Sequence, residues 1–260
     1  MLDALRRRAP QAALLFDFDG TLSATVDDPD RAEPLPGVAE RLDALAARYR
    51  TVAVISGRPV AFLLAHLPTT VSLSGQYGLE RAEGGAVVEV AGAARWAASI
   101  DEAVVELRAA GPEGLRVEPK GLTATVHWRE RPDHEAAARA LAERVGERLG
   151  LARHEAKASV ELRPPVSVDK GSELRRLVIG ATAALYVGDD VGDLPAIAAL
   201  HDLGGAGALD PAVAAAVDGP ELPSAVRAAA DLLVPGSPGV LALLDALLDG
   251  APSGGLGTGP

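Results

Sequence analysis

The order of apolar runs in this 260-residue chain predicts an α/β protein: a doubly wound, mainly parallel sheet into which a smaller α+β domain is inserted. Three observations lead there. Short unbroken apolar runs alternate with segments of helical period at the start of the chain and again after Val168. Between residues 82 and 165 that rhythm gives way to two pairs of short strands, each pair accompanied by a helix. Finally, 48% hydrophobic and 23% charged residues form an ordinary globular balance, and a prior of about 150 residues per domain points to two domains.

In order, Ala12–Phe18 reads as a buried parallel strand closed by Asp-Gly, and Gly37–Arg50 as a helix with Val38, Leu42, Leu45 and Ala46 on one face. Thr51–Ser56 is the second strand, Pro59–Leu67 a helix with proline in its first turn, and Val71 starts a third strand. In the insert, Ala86–Val90 is a strand and Ala93–Ala110 a helix, while Leu115–Glu118 and Leu122–Trp128 pair across the turn Pro119-Lys120-Gly121. A helix over Asp133–Leu149 and strands over Leu151–Glu155 and Ser159–Arg163 follow, which together describe an open antiparallel sheet with helices on one face. The first rhythm then resumes with helix Lys170–Ile179, strand Ala184–Val187, a helix from Val191 to Leu200, strands near Val213–Val217 and Leu232–Val234, and helix Pro238–Leu248. The doubly wound core is thus expected over 1–81 and 166–249, the insert over 82–165, and a disordered Gly/Ser/Pro tail over 250–260.

A net charge of −11 argues against a nucleic-acid partner, because phosphate backbones call for a basic surface, but a local basic pocket can still bind a small phosphorylated ligand. With no cysteine, disulfides and thiolate metal sites are excluded. The first residues lack the apolar stretch of a signal peptide, and no run approaches the roughly 20 apolar residues of a membrane span. A cytoplasmic setting fits, no membrane is expected, and a monomer is favoured while the sequence fixes no oligomeric state.

Asp17 and Asp19 interrupt "LLFDFDGTLS" where a parallel strand ends, the edge at which open α/β sheets place ligands. Strand alternation puts the two carboxylates on one side and Phe18 in the core. Close carboxylates repel unless a cation sits between them. This "DFDGT" string resembles the nucleophile motif of haloacid-dehalogenase-like (HAD) phosphatases. The resemblance implies a Rossmann-like core with a cap, Asp17 as nucleophile and Asp19 as general acid and base. Further features appear in the order that family would require. Ser56 in "ISGR" ends a strand, where its hydroxyl can bind a phosphoryl oxygen; Gly57 admits close backbone approach, and Arg58 falls on the substrate side. Taken alone, Ser-Gly there is also an ordinary turn. Lys170 opens a helix, an unfavourable place for a cation that serves only as a solvated charge. In "LYVGDDVGD", Asp189 is expected as a third metal ligand beside Asp17 and Asp19, with Asp190 and Asp193 close by; capping is an alternative role for Asp190. Magnesium, Mg2+, suits such hard oxygen ligands.

Within the insert, "RVEPKGLTATVHWRE" and "KASVELRP" resemble trehalose-6-phosphate phosphatases. That resemblance implies a sugar-phosphate substrate and assigns Glu118, Lys120, Arg129, Lys157 and Glu161 to the sugar; a solvated charged sheet face is the alternative. Two places depart from the family pattern. Tyr77 stands where histidine is common, and Gly192 and Leu194 stand where threonine and glutamate are usual. The departures keep other esters open, such as sucrose phosphate or a glycosyl phosphoglycerate. A non-catalytic sugar-phosphate sensor or a phosphotransferase is the reading from a different class.

Overall fold

A computed structural model describes residues 1–26, 31–83, 85–156, 158–249 and 257–258. Helix α1 (Leu2–Arg7) precedes β1 (Ala12–Phe16), α2 (Val38–Ala46), β2 (Thr51–Ile55), α3 (Val60–His66), β3 (Ser72–Gly75), β4 (Glu80–Glu83) and β5 (Ala86–Glu89). Next come α4 (Ala97–Ala110), β6 (Arg116–Pro119), β7 (Ala124–His127), α5 (Glu135–Leu149), β8 (Ala152–Ala156) and β9 (Ser159–Arg163). The chain continues with α6 (Lys170–Leu177), β10 (Ala183–Gly188), α7 (Leu194–Gly205), β11 (Ala212–Asp218), α8 (Ser224–Ala229), β12 (Leu232–Pro235), α9 (Gly236–Asp249) and β13 (Gly257–Thr258).

The chain divides into two units, Met1–Val88 with Val168–Pro260, and Glu89–Ser167. In the first, the sheet order is β13-β12-β11-β10-β1-β2-β3-β4-β5, parallel from β12 through to β3. Alternation along β1 sorts its side chains between two layers. Leu14 and Phe16 pack with Leu5 of α1, Leu42 and Leu45 of α2, and Leu243 and Leu244 of α9. Ala13 and Leu15 face Leu174 of α6, Ile197 and Leu200 of α7, and Val226 of α8. Because β1 lies between β10 and β2, the chain leaves it in one direction and returns on its other side, which creates a switch point at its carboxyl end.

Three features differ from the sequence reading. The boundary expected at 82 falls later, after Val88, because β4 pairs antiparallel with β3 and, with β5, extends the core sheet. Helices α1 and α8 are six residues each, too short to show a helical period. The tail expected to be disordered lies outside the described residues except Gly257 and Thr258, which pair antiparallel with Leu233 and Leu232.

The second unit is a four-stranded antiparallel sheet in the order β6-β7-β9-β8. Its apolar face, with Ala124, Val126, Val160 and Leu162, packs on Ile100 and Leu107 of α4 and on Leu141 and Val145 of α5.

Candidate active site

Asp17 follows the last residue of β1, and its N–H still donates to the Val187 carbonyl at 2.8 Å, so the strand geometry carries through it. Alternation therefore sends its side chain, like those of Ala13 and Leu15, towards α6. There Lys170 Nζ lies 2.7 Å from Asp17 Oδ1 and 2.6 Å from Asp193 Oδ1, and both Asp17 and Lys170 are buried. Lys170 occupies the first helical position after Asp169, which caps α6 by accepting the Ser172 N–H at 2.7 Å. Burial opposes the lysine's charge, but Asp17 and Asp193 outweigh it and push its pKa well up, so it remains an ammonium.

Asp193 is the hub. Its Oδ1 accepts from Lys170 and, at 2.6 Å, from the Tyr186 hydroxyl, while Oδ2 accepts the N–H groups of Asp189 at 2.8 Å and Asp190 at 3.0 Å. Gly188 is required beside it, since a Cβ there would lie 2.3 Å from Asp193 Cγ. Asp190 takes the capping role: its carboxylate accepts the Val191 N–H at 2.6 Å. Burial and the Asp193 carboxylate push the Tyr186 phenol well up, which keeps it a donor.

The chain does not carry strand alternation on to Asp19. The Phe18 carbonyl accepts the N–H groups of Thr21, Leu22 and Ser23, so the strand ends in a turn before Asp19. Asp19 forms a two-pronged ion pair with Arg58, Nε to Oδ2 at 2.8 Å and a second nitrogen to Oδ1 at 2.6 Å. The guanidinium also lies 4.8 Å from the centroid of Phe62. Among the described residues the side-chain carboxylates brought together are those of Asp17, Asp189 and Asp193, with oxygens within 4.8 Å of one another; of the expected Asp17, Asp19 and Asp189, the Asp19 side chain is the one not in this group.

This cluster suits a hard cation. Burial first, then Asp193, raises the Asp189 carboxyl to about 7 against the pull of Lys170. Burial likewise raises Asp17, with Lys170 opposing and Asp193 and Asp189 adding to it. The carboxylates thus exceed the charge that one lysine neutralises, a surplus that a divalent ion on oxygen ligands would remove. Since Asp193 is committed to four donors, Asp17 and Asp189 are the oxygens left to hold it.

Ser56 follows β2, fully buried, and accepts the Arg58 N–H on Oγ at 3.1 Å, which leaves its hydroxyl proton available to donate. The turn after β3 packs against it. Gln76, Tyr77 and Gly78 have φ of 47°, 58° and 107°, and the Tyr77 N–H donates to the Ser56 carbonyl at 2.9 Å. The Tyr77 ring excludes any side chain at Gly57, where a Cβ would come within 2.8 Å of its Cζ and Oη, and lies 3.8 Å from the same point on Gly192. Two of the departures from the family pattern are therefore neighbours. The third, Leu194, opens α7 and packs on the core.

In the second unit the strand register sets Glu118, Thr125, Glu161 and His154 opposite one another in a row, on the face away from the helices. Glu161 is buried and accepts from Thr123 at 3.1 Å and Thr125 at 3.3 Å, with Lys120 Nζ at 3.5 Å. Glu118 meets His127 Nε2 at 2.8 Å. Glu118, Lys120 and Glu161 are thus brought together. Arg129 is exposed just past β7, and Lys157 lies outside the described residues.

Sequence reasoning missed Tyr186, Thr21, whose Oγ1 is 3.5 Å from Asp189, and Glu173, which ties α6 to Ser74 at 3.0 Å. A lone hydroxyl in "AALYVG" was the available signal for Tyr186.

A family described as trehalose-phosphatase matches residues 15–214. The trehalose-phosphate phosphatase of Mycobacterium leprae (strain TN) is 34% identical over 215 residues, covering 76% of this chain and 50% of its own length. That of Mycobacterium tuberculosis (strain ATCC 25618 / H37Rv) is 37% identical over 197 residues, covering 71% and 50%. The chain spans about half the length of the curated relatives it matches. Among solved structures, the C-terminal domain of C. albicans trehalose-6-phosphate phosphatase shares the fold, with a TM-score of 0.77 over 95% of both chains at 24% identity.

Proposed function

The chain belongs to the trehalose-phosphatase family, and from that premise we propose that it hydrolyses trehalose 6-phosphate to trehalose and phosphate. The observation that carries the reading is the Asp17 carboxylate, buried at the switch point and held by Lys170 beside Asp189. In this mechanism Asp17 attacks phosphorus in line, the bond to the sugar oxygen breaks, and an aspartyl-phosphate forms. Asp19, once it parts from Arg58 and takes up a proton from solvent, gives that proton to the departing sugar oxygen and then takes one from the water that attacks the phosphorus of the acyl phosphate. Lys170 and the Ser56 hydroxyl meet the negative phosphoryl oxygens. A divalent ion such as Mg2+, held by Asp17 and Asp189, would supply charge neutralisation at the phosphoryl group. Glu118, Lys120, Arg129, Lys157 and Glu161 are assigned to the sugar hydroxyls, because acceptors and donors of mixed charge orient a polyol.

Among the described residues no helix is long and apolar enough to cross a membrane. A cytoplasmic monomer completes the proposal.

The test is phosphate release from trehalose 6-phosphate, sucrose 6-phosphate and a glucosyl phosphoglycerate, each with Mg2+ and with EDTA. Trehalose 6-phosphate should be the preferred ester and EDTA should abolish turnover; preference for another ester by about tenfold overturns the substrate assignment. Asp17→Asn should keep its circular dichroism spectrum and lose turnover on every ester, and residual wild-type activity would remove Asp17 as nucleophile.

A further inference from the structure

We propose that Tyr186 is a positioning residue for the reaction, holding Asp193 and through it fixing Lys170 against Asp17. The reading rests on the phosphatase function above and extends it to a strand residue that touches neither ester nor nucleophile. Tyr186 lies in the middle of β10, paired with Leu15 of β1, and is wholly buried in the apolar layer with Leu174, Ala196 and Ile197. A hydroxyl there has no folding purpose that phenylalanine would not serve better, because a buried O–H must find a partner. Its partner is Asp193 Oδ1 at 2.6 Å, the same oxygen that Lys170 Nζ reaches at 2.6 Å.

The geometry makes the hydroxyl a restraint on the lysine. Lys170 divides its charge between Asp193 Oδ1 at 2.6 Å and Asp17 Oδ1 at 2.7 Å. The phenol withdraws part of the negative charge of Asp193 Oδ1 and fixes the carboxylate on one side, while the Asp189 and Asp190 amides fix it on the other. Without the hydroxyl, Oδ1 has Lys170 as its remaining donor among these contacts, and the ammonium is drawn from Asp17 towards Asp193. Asp17 then attacks with its charge less screened from the incoming phosphoryl oxygens, an effect felt when the new bond forms.

Tyr186→Phe removes one oxygen atom and keeps the packing shape. The control is Tyr49→Phe, because Tyr49 is also buried and its hydroxyl donates to the Leu247 carbonyl at 3.0 Å in the other apolar layer. Both variants are assayed on trehalose 6-phosphate and p-nitrophenyl phosphate, with rates normalised to folded protein by circular dichroism. For Tyr186→Phe, kcat should fall roughly tenfold on both esters with KM within about threefold of wild type, whereas Tyr49→Phe should keep wild-type values per folded molecule. The proposal is overturned if Tyr186→Phe keeps wild-type kcat, if KM rises in place of a fall in kcat, or if Tyr49→Phe loses as much. A wild-type protein inactive on every ester would instead refute the phosphatase reading on its own.

Discussion

Gly20→Ala should weaken cation binding while leaving the protein folded. Gly20 has φ of +75°, and a Cβ on it would lie 2.1 Å from Asp189 Oδ2, 2.4 Å from Cγ and 2.7 Å from Oδ1. Ordinary contact begins at 3.4 Å, so Asp189 Oδ2 must retreat by 3.4 − 2.1 = 1.3 Å or the turn must open. The backbone of Asp189 is fixed by its N–H on Asp193, so the retreat falls on the side chain and carries its oxygens off the cluster. A ligand oxygen tolerates displacement of only about 0.2 Å, and misplacement of a reacting group by 1 Å can cost about 100-fold. The half-saturating Mg2+ concentration should therefore rise by roughly 10- to 100-fold. The left-handed backbone adds about 1–2 kcal/mol of destabilisation. Gly85→Ala separates the two effects: Gly85 has φ of +79° and nothing within 4 Å, so it carries the strain without the clash. The assay is phosphate release against Mg2+ for wild type and both variants, with melting temperatures in parallel. The reasoning fails if Gly20→Ala half-saturates within twofold of wild type, or if Gly85→Ala shifts equally.

Two further outcomes follow from the charges. The Asp189 carboxyl, raised from 3.8 to about 7, keeps its proton in the folded state where the unfolded chain has lost it. This stability is full below about pH 4 and is lost as pH rises through 7, to a limit of about 4 kcal/mol before allowing for solvent at this partly exposed group. In EDTA the melting temperature should fall from pH 5.5 to 8, and Mg2+, which needs the ionised form, should remove that fall; a flat profile in EDTA would contradict the assignment. Glu173, 1% exposed, meets Ser74 Oγ at 3.0 Å and Arg176 at 2.8 Å and also pairs with Arg81. Burial pushes its carboxyl up, but Arg81 and Arg176 together hold it below its ordinary value. Glu173→Gln should cost about 2 kcal/mol near pH 7 and lower the melting temperature by about 4–8 °C. Because the depressed group contributes stability above 4.5 and loses it as pH falls, the difference from wild type should shrink in acid.

The parallel strands were legible because β1, β2 and β10 are buried on both faces and read as unbroken apolar runs. Lys170 and Asp189 were legible for a related reason: each stands at an element end, where packing alone explains a charge poorly. The place of Asp19 was not. Strand alternation was extended through Phe18, yet the Phe18 carbonyl gathers three N–H groups and turns the chain. Pairing of Asp19 with Arg58 joins residues 39 positions apart, which no local period encodes. The role of Asp193 was half visible, since the hydroxyl that holds it belongs to a strand that looks uniformly apolar. In the insert, the charged residues of β6 and β9 were readable, but the histidines beside them, His127 and His154, declare their face only once the register is known.

The row Glu118, Thr125, Glu161 and His154 draws one side chain from each of four strands. A polar face written this way is indivisible in folding: a slip of one residue in β7 or β9 would turn Val126 and Val160 outward and drive Thr125 and Glu161 into the helices. A misregistered insert could not survive, because the slip strips Glu161 of its Thr123 and Thr125 partners and exposes an apolar sheet face. The chemistry of this face can therefore be varied only by exchanging side chains at alternate positions with the strand lengths untouched, since an insertion or deletion in these strands inverts both faces of the sheet.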